Sequence, residues 1–84
     1  MSEPAAAAKA VQIIVNKSLV TLPDRHTTGY AIKEAAISAG VPIELSFQLS
    51  VKRGPHQTQI IGDAEAITIH DGLEFVAVAG DDNS

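Results

Sequence analysis

The sequence predicts an α+β domain in which a single sheet is covered on one face by one helix. Three observations lead to this fold class. Short β-branched and apolar runs, bounded by turn residues, lie on both sides of one segment with helical periodicity. That segment carries helix start and stop signals at its two ends. The chain has 84 residues, of which 45% are hydrophobic, so it is long enough for one small domain with an aliphatic core.

The first predicted elements form a hairpin after a disordered lead. Residues 1–10 include a run of alanines that shows no packing pattern. The β-branched run at 11–15 predicts a strand, and residues 19–22 predict a second one. The turn at 16–18 lacks the Asn-Gly pair that would define its type. Residues 23–26 contain proline and aspartate, and they predict a loop.

A helix is predicted from about residue 29 to residue 39. Thr27 or Thr28 can cap its N-terminus, because a threonine hydroxyl accepts a hydrogen bond from a free amide of the first turn. Gly40 suits the left-handed position after the last turn, and Pro42 prevents the helix from continuing. Both ends of the helix are therefore marked in the sequence.

One face of this helix is predicted to pack on the sheet, while Lys33 and Glu34 are expected to point elsewhere. We expect Ile32 and Phe47 to be important core residues. The inward face is made of small and apolar residues at helical spacing: Ile32, Ala35, Ala36 and Ala39.

The second half of the chain predicts the remaining strands. Residues 47–52 alternate apolar and polar, which is typical of a half-buried strand with Phe47, Leu49 and Val51 facing inward. The last strand is rich in apolar residues, and this favours a central position in the sheet. The other segments are an edge strand at 57–61, a stretch at 66–69 that leads into a tight turn at 70–72, and the last strand at 73–79. For the first, second and last predicted strands, at 11–15, 19–22 and 73–79, apolar residues occur in both registers, so the sequence does not decide which face points inward.

The composition excludes several classes of function. The chain has no cysteine, so it can form neither a disulfide nor a thiolate metal site. Its formal net charge of −4 argues against a nucleic-acid binder, which needs a basic face. No apolar stretch approaches the roughly 20 residues of a membrane span, and the start of the chain does not resemble a signal peptide. We therefore expect a cytoplasmic protein that contacts neither nucleic acid nor membrane.

The polar residues predict no catalytic or metal site. His26, His56 and His70 each fall in a predicted loop or turn, without further ligands at the spacing of a metal site. The serines lie outside any Gly-x-Ser-x-Gly motif, and the chain lacks a glycine-rich phosphate loop. We therefore expect neither an enzyme nor a cofactor.

The segment after the last strand has two interpretations. One is a frayed end that follows a core strand. In the other, a partner enzyme grips Val78 and Ala79 as extended backbone and acts at the Gly80 carboxylate, because glycine passes through a narrow channel. Asp81 would then be the first residue of a removable polar stub at 81–84.

A second candidate surface lies on the alternating strand at 47–52. Its outward residues Gln48, Ser50 and Lys52 form a possible partner face. Lys52 and Arg53, with Lys33, could add a small basic spot that contacts an acidic partner surface. The alternative is an ordinary solvated face.

The order of elements resembles the ubiquitin-like β-grasp, a mixed sheet of four to five strands packed on one helix. Residues 75–80 are similar to the end of the thiamine and molybdopterin sulfur carriers, which finish with an apolar strand and a Gly-Gly pair. Asp81 stands here in place of the second glycine.

A more detailed similarity, over residues 11–80, is to the prokaryotic multiubiquitin and bacterial ubiquitin-like modifiers. The chain shares with them a first strand that ends near Asn16 and a Thr28-Gly29-Tyr30 helix start with Ile32 and Ala36 behind it. It also shares the approach Gly72-x-x-Phe75 to the last strand.

This resemblance implies a protein modifier. A deconjugating peptidase would trim it near Gly80, an activating enzyme would adenylate the new carboxylate, and a conjugating enzyme would pass it to target proteins. These enzymes would be encoded in the same operon, and bacterial members of the group are associated with defence against phage. Two alternatives stay open: a non-conjugated β-grasp protein-interaction module, and a sulfur carrier.

Overall fold

The computed structural model describes residues 10–79 of the chain. Most of the predicted lead, Gly80 and the predicted stub at 81–84 lie outside the described residues, so their predictions are not tested. Within them the elements are β1 (Val11–Val15), β2 (Ser18–Leu22), β3 (His26–Thr28), α1 (Gly29–Ser38), β4 (Gln48–Gly54), β5 (Gln57–Ile61), β6 (Ala66–Thr68) and β7 (Glu74–Val78).

Five of the strands form one mixed sheet in the order β2-β1-β7-β4-β5. The strands β1 and β7 run parallel, and the other neighbours are antiparallel. The last strand therefore lies at the centre of the sheet, as its apolar sequence predicts. Together with α1, this sheet confirms the α+β fold class and is compatible with the ubiquitin-like β-grasp.

The hairpin between β1 and β2 closes through a two-residue turn. Val15 pairs with Ser18, and the turn residues Asn16 and Lys17 both have positive φ, at 50° and 71°. Two consecutive positive φ angles are typical of a type I′ turn, whose twist matches that of the flanking strands. The structure thus decides the turn type that the sequence left open.

Alternation along the strands gives the sheet one buried face and one outer face. On β1 the buried residues are Val11, Ile13 and Val15, and on β7 they are Phe75 and Ala77. This choice settles the inward register of strands for which both registers offered apolar residues. The rest of the core comes from the neighbouring strands, the helix and two loops: Val20, Leu22, Ile32, Ala36, Val41, Ile43, Leu49, Val51, Ile61, Ile69 and Leu73.

The ends of α1 confirm the predicted caps. The Thr28 hydroxyl accepts a hydrogen bond of 3.2 Å from the Ala31 amide. At the other end Gly40 has a φ of 97°, and the Val41 amide donates to the Ala36 carbonyl at 3.0 Å. This is the pattern of a Schellman motif, in which glycine adopts the left-handed conformation that satisfies the last carbonyls.

The start of α1 rests directly on the backbone of the turn at 62–65. A Cβ atom at Gly29 would lie 2.4 Å from the carbonyl oxygen of Gly62, so only glycine fits there without movement of the turn. The Tyr30 amide donates to the Asp63 carbonyl at 3.0 Å. The contact explains physically why a glycine follows the N-cap.

Two predictions for the faces of the helix are wrong. Lys33, expected to point away from the core, is only 4% exposed. Its ammonium donates to the carbonyls of Leu45 and Phe47 at 2.7 and 2.9 Å, and it forms an ion pair with Asp63. Burial of the charge is tolerated because these three partners replace water. Ala39, expected to face inward, is exposed at the C-cap, where the chain already leaves the helix.

The predicted loop before the helix is also partly wrong. The strands β3 and β6 pair antiparallel in a second, two-stranded sheet, with Thr27 opposite Ile67. His26 therefore lies in a strand rather than in a loop. Phe47 precedes β4 and is half-buried against the core, whereas Leu49 and Val51 are buried as predicted.

Candidate functional site

The candidate site is the end of β7, which leads to Gly80. On one side β7 pairs with β4 up to the Gln48–Val78 pair. Val78 is 49% exposed, and Ala79 follows it outside the strand as an exposed residue. The two residues predicted to enter a partner enzyme are therefore accessible, and Val78 is still held by the sheet.

On the other side β7 is held by β1 and by the side chain of Asn16, the residue that follows β1. The amides of Ile14 and Asn16 donate to the carbonyls of Leu73 and Phe75 at 2.9 and 3.1 Å. The Asn16 side chain then donates from Nδ2 to the Ala77 carbonyl at 3.0 Å and accepts at Oδ1 from the Ala77 amide at 2.9 Å. We call this pair of side-chain hydrogen bonds the Asn16 clamp.

Sequence reasoning missed the clamp. Asparagine in a turn is ordinary, because it tolerates positive φ. The partner, Ala77, lies 61 positions further along the chain. A local pattern cannot indicate such a contact, since it depends on β1 and β7 becoming parallel neighbours.

The start of β7 is fixed by a tight turn. Gly72 has a φ of 86° and donates from its amide to the Gln12 carbonyl at 2.8 Å. The Gln12 amide in turn donates to the Asp71 carboxylate at 3.0 Å. The strand is thus attached to β1 at its beginning as well as at its end.

The predicted partner face lies on the outer face of the sheet. Ser50 lies at the centre of that face, between Val76 and Ile60 in the pairing register, and Gln48 is next to Val78. Lys52 contacts Glu74 at 3.6 Å, with both side chains about half exposed (47% and 49%). The structure therefore brings the three predicted residues to one surface, together with exposed apolar neighbours: Leu19, Ile60 and Val78.

A shallow depression of about 280 Å³ lies on this outer face. Its lining includes the apolar residues Ile14 and Val76 and the charged residues Lys17, Lys52 and Glu74. Such a mixture of apolar and charged residues suits a contact with another protein.

The predicted basic spot does not form as a cluster of three residues. Lys33 is buried between α1 and the loop before β4, whereas Lys52 is on the outer face and is paired with Glu74. The Arg53 guanidinium donates through Nε to Gln59 at 3.1 Å. The separation follows from the burial of Lys33, which the sequence did not indicate.

The remaining polar groups of residues 10–79 do not assemble into a metal site: no three His, Asp or Glu side chains there could hold an ion. In the same part of the chain, no helix is long and apolar enough to cross a membrane. The Glu34 carboxylate, one helical turn away, raises the pKa of the Tyr30 phenol above its usual value, and Asp63 adds to this effect.

Comparison with known proteins relates this arrangement to one family. The family model described as Multiubiquitin matches residues 11–81 of the chain. The matched range includes the helix and every strand described above, and it continues through Gly80 to Asp81. A search of curated proteins and a search of solved structures each gave no match.

Proposed function

Because the chain belongs to the Multiubiquitin family and is a ubiquitin-like protein, we propose that it is a protein modifier that acts through Gly80. The observation that carries this proposal is the course of β7. A central strand held on both sides leads to the exposed residue Ala79 and then to Gly80. An enzyme could therefore grip the emerging backbone without unfolding the sheet.

The proposed sequence of steps uses three partner enzymes of the same operon. A peptidase hydrolyses the bond between Gly80 and Asp81 and so removes the polar stub. An activating enzyme then adenylates the Gly80 carboxylate, and a conjugating enzyme transfers the modifier to target proteins. Glycine suits this end because a residue without a side chain can thread a narrow active site. We place the process in the bacterial cytoplasm, in defence against phage.

Two truncations test the reactive end. The chain is co-expressed with the three enzymes, and adducts are identified by mass spectrometry. A chain that ends at Gly80 should form conjugates without the peptidase, because its carboxylate is already exposed. A chain that ends at Ala79 is the matched control. It should form no conjugates, although it contains every helix and strand of the described fold.

The full-length chain provides the result that would contradict the proposal. If it keeps an intact Ser84 end and yields no adducts with all three enzymes present, the modifier proposal is wrong. A thiocarboxylate at Gly80 without conjugates would instead support a sulfur carrier.

A second function, a non-conjugated interaction module, is favoured by the outer face. Leu19 and Ile60 are 66% and 58% exposed there, and they lie on opposite sides of the polar centre at Ser50. Isolated exposed apolar residues are ordinary, but a group on one sheet face suits a protein contact. Under this proposal the partner binds the sheet and not the segment after Ala79.

Binding measurements with purified products of the same operon separate the two functions. An interaction module should keep its affinity when residues 80–84 are deleted, and it should lose binding in Ser50→Arg. Ser38→Arg, on the exposed end of α1, is the control and should leave binding unchanged. If Ser50→Arg has no effect on any partner that the chain binds, the outer face is not the docking surface.

A further inference from the structure

We propose that Asn16 is a positioning residue that keeps β7 in the sheet as far as Ala77 and so determines where the accessible segment begins. The first half of this proposal concerns the chain alone. The second half, that the position of the accessible segment directs enzymatic trimming to Gly80, rests on the proposed function.

The argument starts from the edge of β7 that faces β1. Along a strand, alternate residues direct their backbone groups to the same side. Here the carbonyls of Leu73, Phe75 and Ala77 face β1, and each accepts a hydrogen bond. The first two bonds come from backbone amides of Ile14 and Asn16, whereas the third comes from the Asn16 side chain.

The clamp replaces a strand residue that β1 cannot supply. After Val15 the backbone turns into the hairpin, with φ of 50° at Asn16. In a parallel pair, a longer β1 would have offered Ala77 an acceptor from one residue and a donor from the residue two positions further along. The side chain of Asn16 offers Ala77 both groups: its Nδ2 donates at 3.0 Å and its Oδ1 accepts at 2.9 Å.

Only asparagine meets both demands of this position. The positive φ favours Gly, Asn or Asp. Glycine has no side chain that could reach Ala77. Aspartate at neutral pH accepts hydrogen bonds only, so its carboxylate would face the Ala77 carbonyl with two acceptors together.

Without the clamp, Ala77 keeps its contacts with β4 but loses its partner on the β1 side. The Ala77 side chain is buried at 3% exposure, and the residue pairs with Leu49. On that side its amide and carbonyl would then be satisfied only by water, and this end of β7 would be held by β4 alone. We therefore expect local opening that begins at Ala77 and extends to Ala79.

Amide hydrogen exchange of the isolated full chain tests the first half. Asn16→Gly accepts the positive φ but removes the clamp, so the protection factor of the Ala77 amide should fall roughly five- to tenfold, as expected for loss of one typical hydrogen bond. The Ile61 amide in β5 is the internal control and should keep its protection. Unchanged protection at Ala77 would overturn the proposal.

Asn16→Asp provides a signature that a general loss of stability would not produce. A protonated carboxyl has the same donor and acceptor as the amide, whereas the carboxylate lacks the donor. Ala77 protection should therefore match the natural chain below about pH 4 and decrease as the pH rises through that carboxyl's pKa.

The charged groups around the clamp call for one control. Lys17 and Lys52 favour the carboxylate, whereas Glu74 opposes it, and all three line the same depression. The pH-dependent loss of Ala77 protection should persist when Asn16→Asp is combined with Glu74→Gln. If this loss is absent both from Asn16→Asp and from the double variant, the clamp is contradicted.

The second half is tested by the site of cleavage. With the operon's peptidase, the natural chain should be cut after Gly80, whereas Asn16→Gly should give additional products cut upstream, within residues 77–79. Cleavage at Gly80 alone, despite reduced Ala77 protection, would overturn the positioning role. If the natural chain is never trimmed while Ala77 protection depends on Asn16, the proposed function fails and the clamp stands.

Discussion

At the scale of single residues, Lys33 shows that the structural role of a charged side chain depends on the groups around it. By its spacing it lies beside the inward face of an amphipathic helix, where a lysine ordinarily extends into solvent. Here the carbonyls of Leu45 and Phe47 and the carboxylate of Asp63 surround its ammonium. The side chain therefore ties α1 to the loop before β4 and to the turn that supports the helix start.

We expect Lys33→Met to lower the free energy of unfolding by about 2–3 kcal/mol, because two carbonyls lose a charged donor in a buried place. Chemical denaturation followed by circular dichroism measures the change. Lys52→Met is the matched control: that lysine is about half exposed at 47%, and its loss should cost less than about 1 kcal/mol. Equal losses in the two variants would contradict the structural role of Lys33.

Tyr30 gives a pH-dependent prediction. Glu34 raises the pKa of its phenol, so Glu34→Gln should move that pKa back toward the usual value of about 10. The chain has one tyrosine and no tryptophan, and the phenolate absorbance therefore follows Tyr30 alone. Glu44→Gln, on the loop after the helix, is the control and should leave the titration unchanged.

The sign of the linked stability follows from the direction of this shift. A pKa raised in the folded state means that folding favours the neutral phenol. The contribution is fully present below the unfolded pKa of about 10 and is lost as the pH rises through the folded value. Glu34→Gln should therefore reduce the loss of stability that the natural chain shows above that pH.

At the scale of elements, α1 is the best-defined part of the sequence. Thr28 and Gly40 mark its ends through local backbone chemistry, which a sequence can show directly. The strand with Leu49 and Val51 was equally clear, because strict alternation has one physical interpretation. The strands β3 and β6 were not, since three residues with mixed polarity carry too little periodicity to indicate pairing.

The packing of α1 leads to a paired prediction on one helix. Ile32 is fully buried in the core, whereas Ile37 is 39% exposed. We expect Ile32→Ala to cost roughly 2–5 kcal/mol, because the removed atoms leave a cavity. The same substitution at Ile37 should cost less than about 1 kcal/mol. Thermal or chemical unfolding compares the two, and a loss below 1 kcal/mol at Ile32 would mean that the helix face is misassigned.

At the scale of the whole molecule, stability should follow the strand order of the sheet. The central strand β7 has a neighbour on each side, whereas β2 and β5 form the edges. Amides of β7 and β1 that bond within the sheet should exchange only on global unfolding, and those of the small sheet β3-β6 should exchange through local opening. Residue-resolved hydrogen exchange checks this order. Faster exchange in β7 than in β3 would contradict it.

The candidate site was only partly accessible to sequence reasoning. Val78 and Ala79 are exposed at the end of a central strand, and Gln48, Ser50 and Lys52 share one face, as the alternation predicts. The Asn16 clamp and the burial of Lys33 were not predicted. Each depends on a partner that the fold brings close, either across the sheet or from a loop, and no local pattern records such a partner.

The sequence by itself determined the local features: the helix with its caps, the strands of strong alternation, and the exclusion of cysteine chemistry. These follow from backbone preferences and hydrophobic periodicity, which act over a few residues. The tertiary structure alone decided which face of each strand is buried, which strands are neighbours, and how the end of β7 is held. These features depend on contacts between distant segments, such as Asn16 with Ala77, and such contacts exist only once β1 and β7 lie side by side.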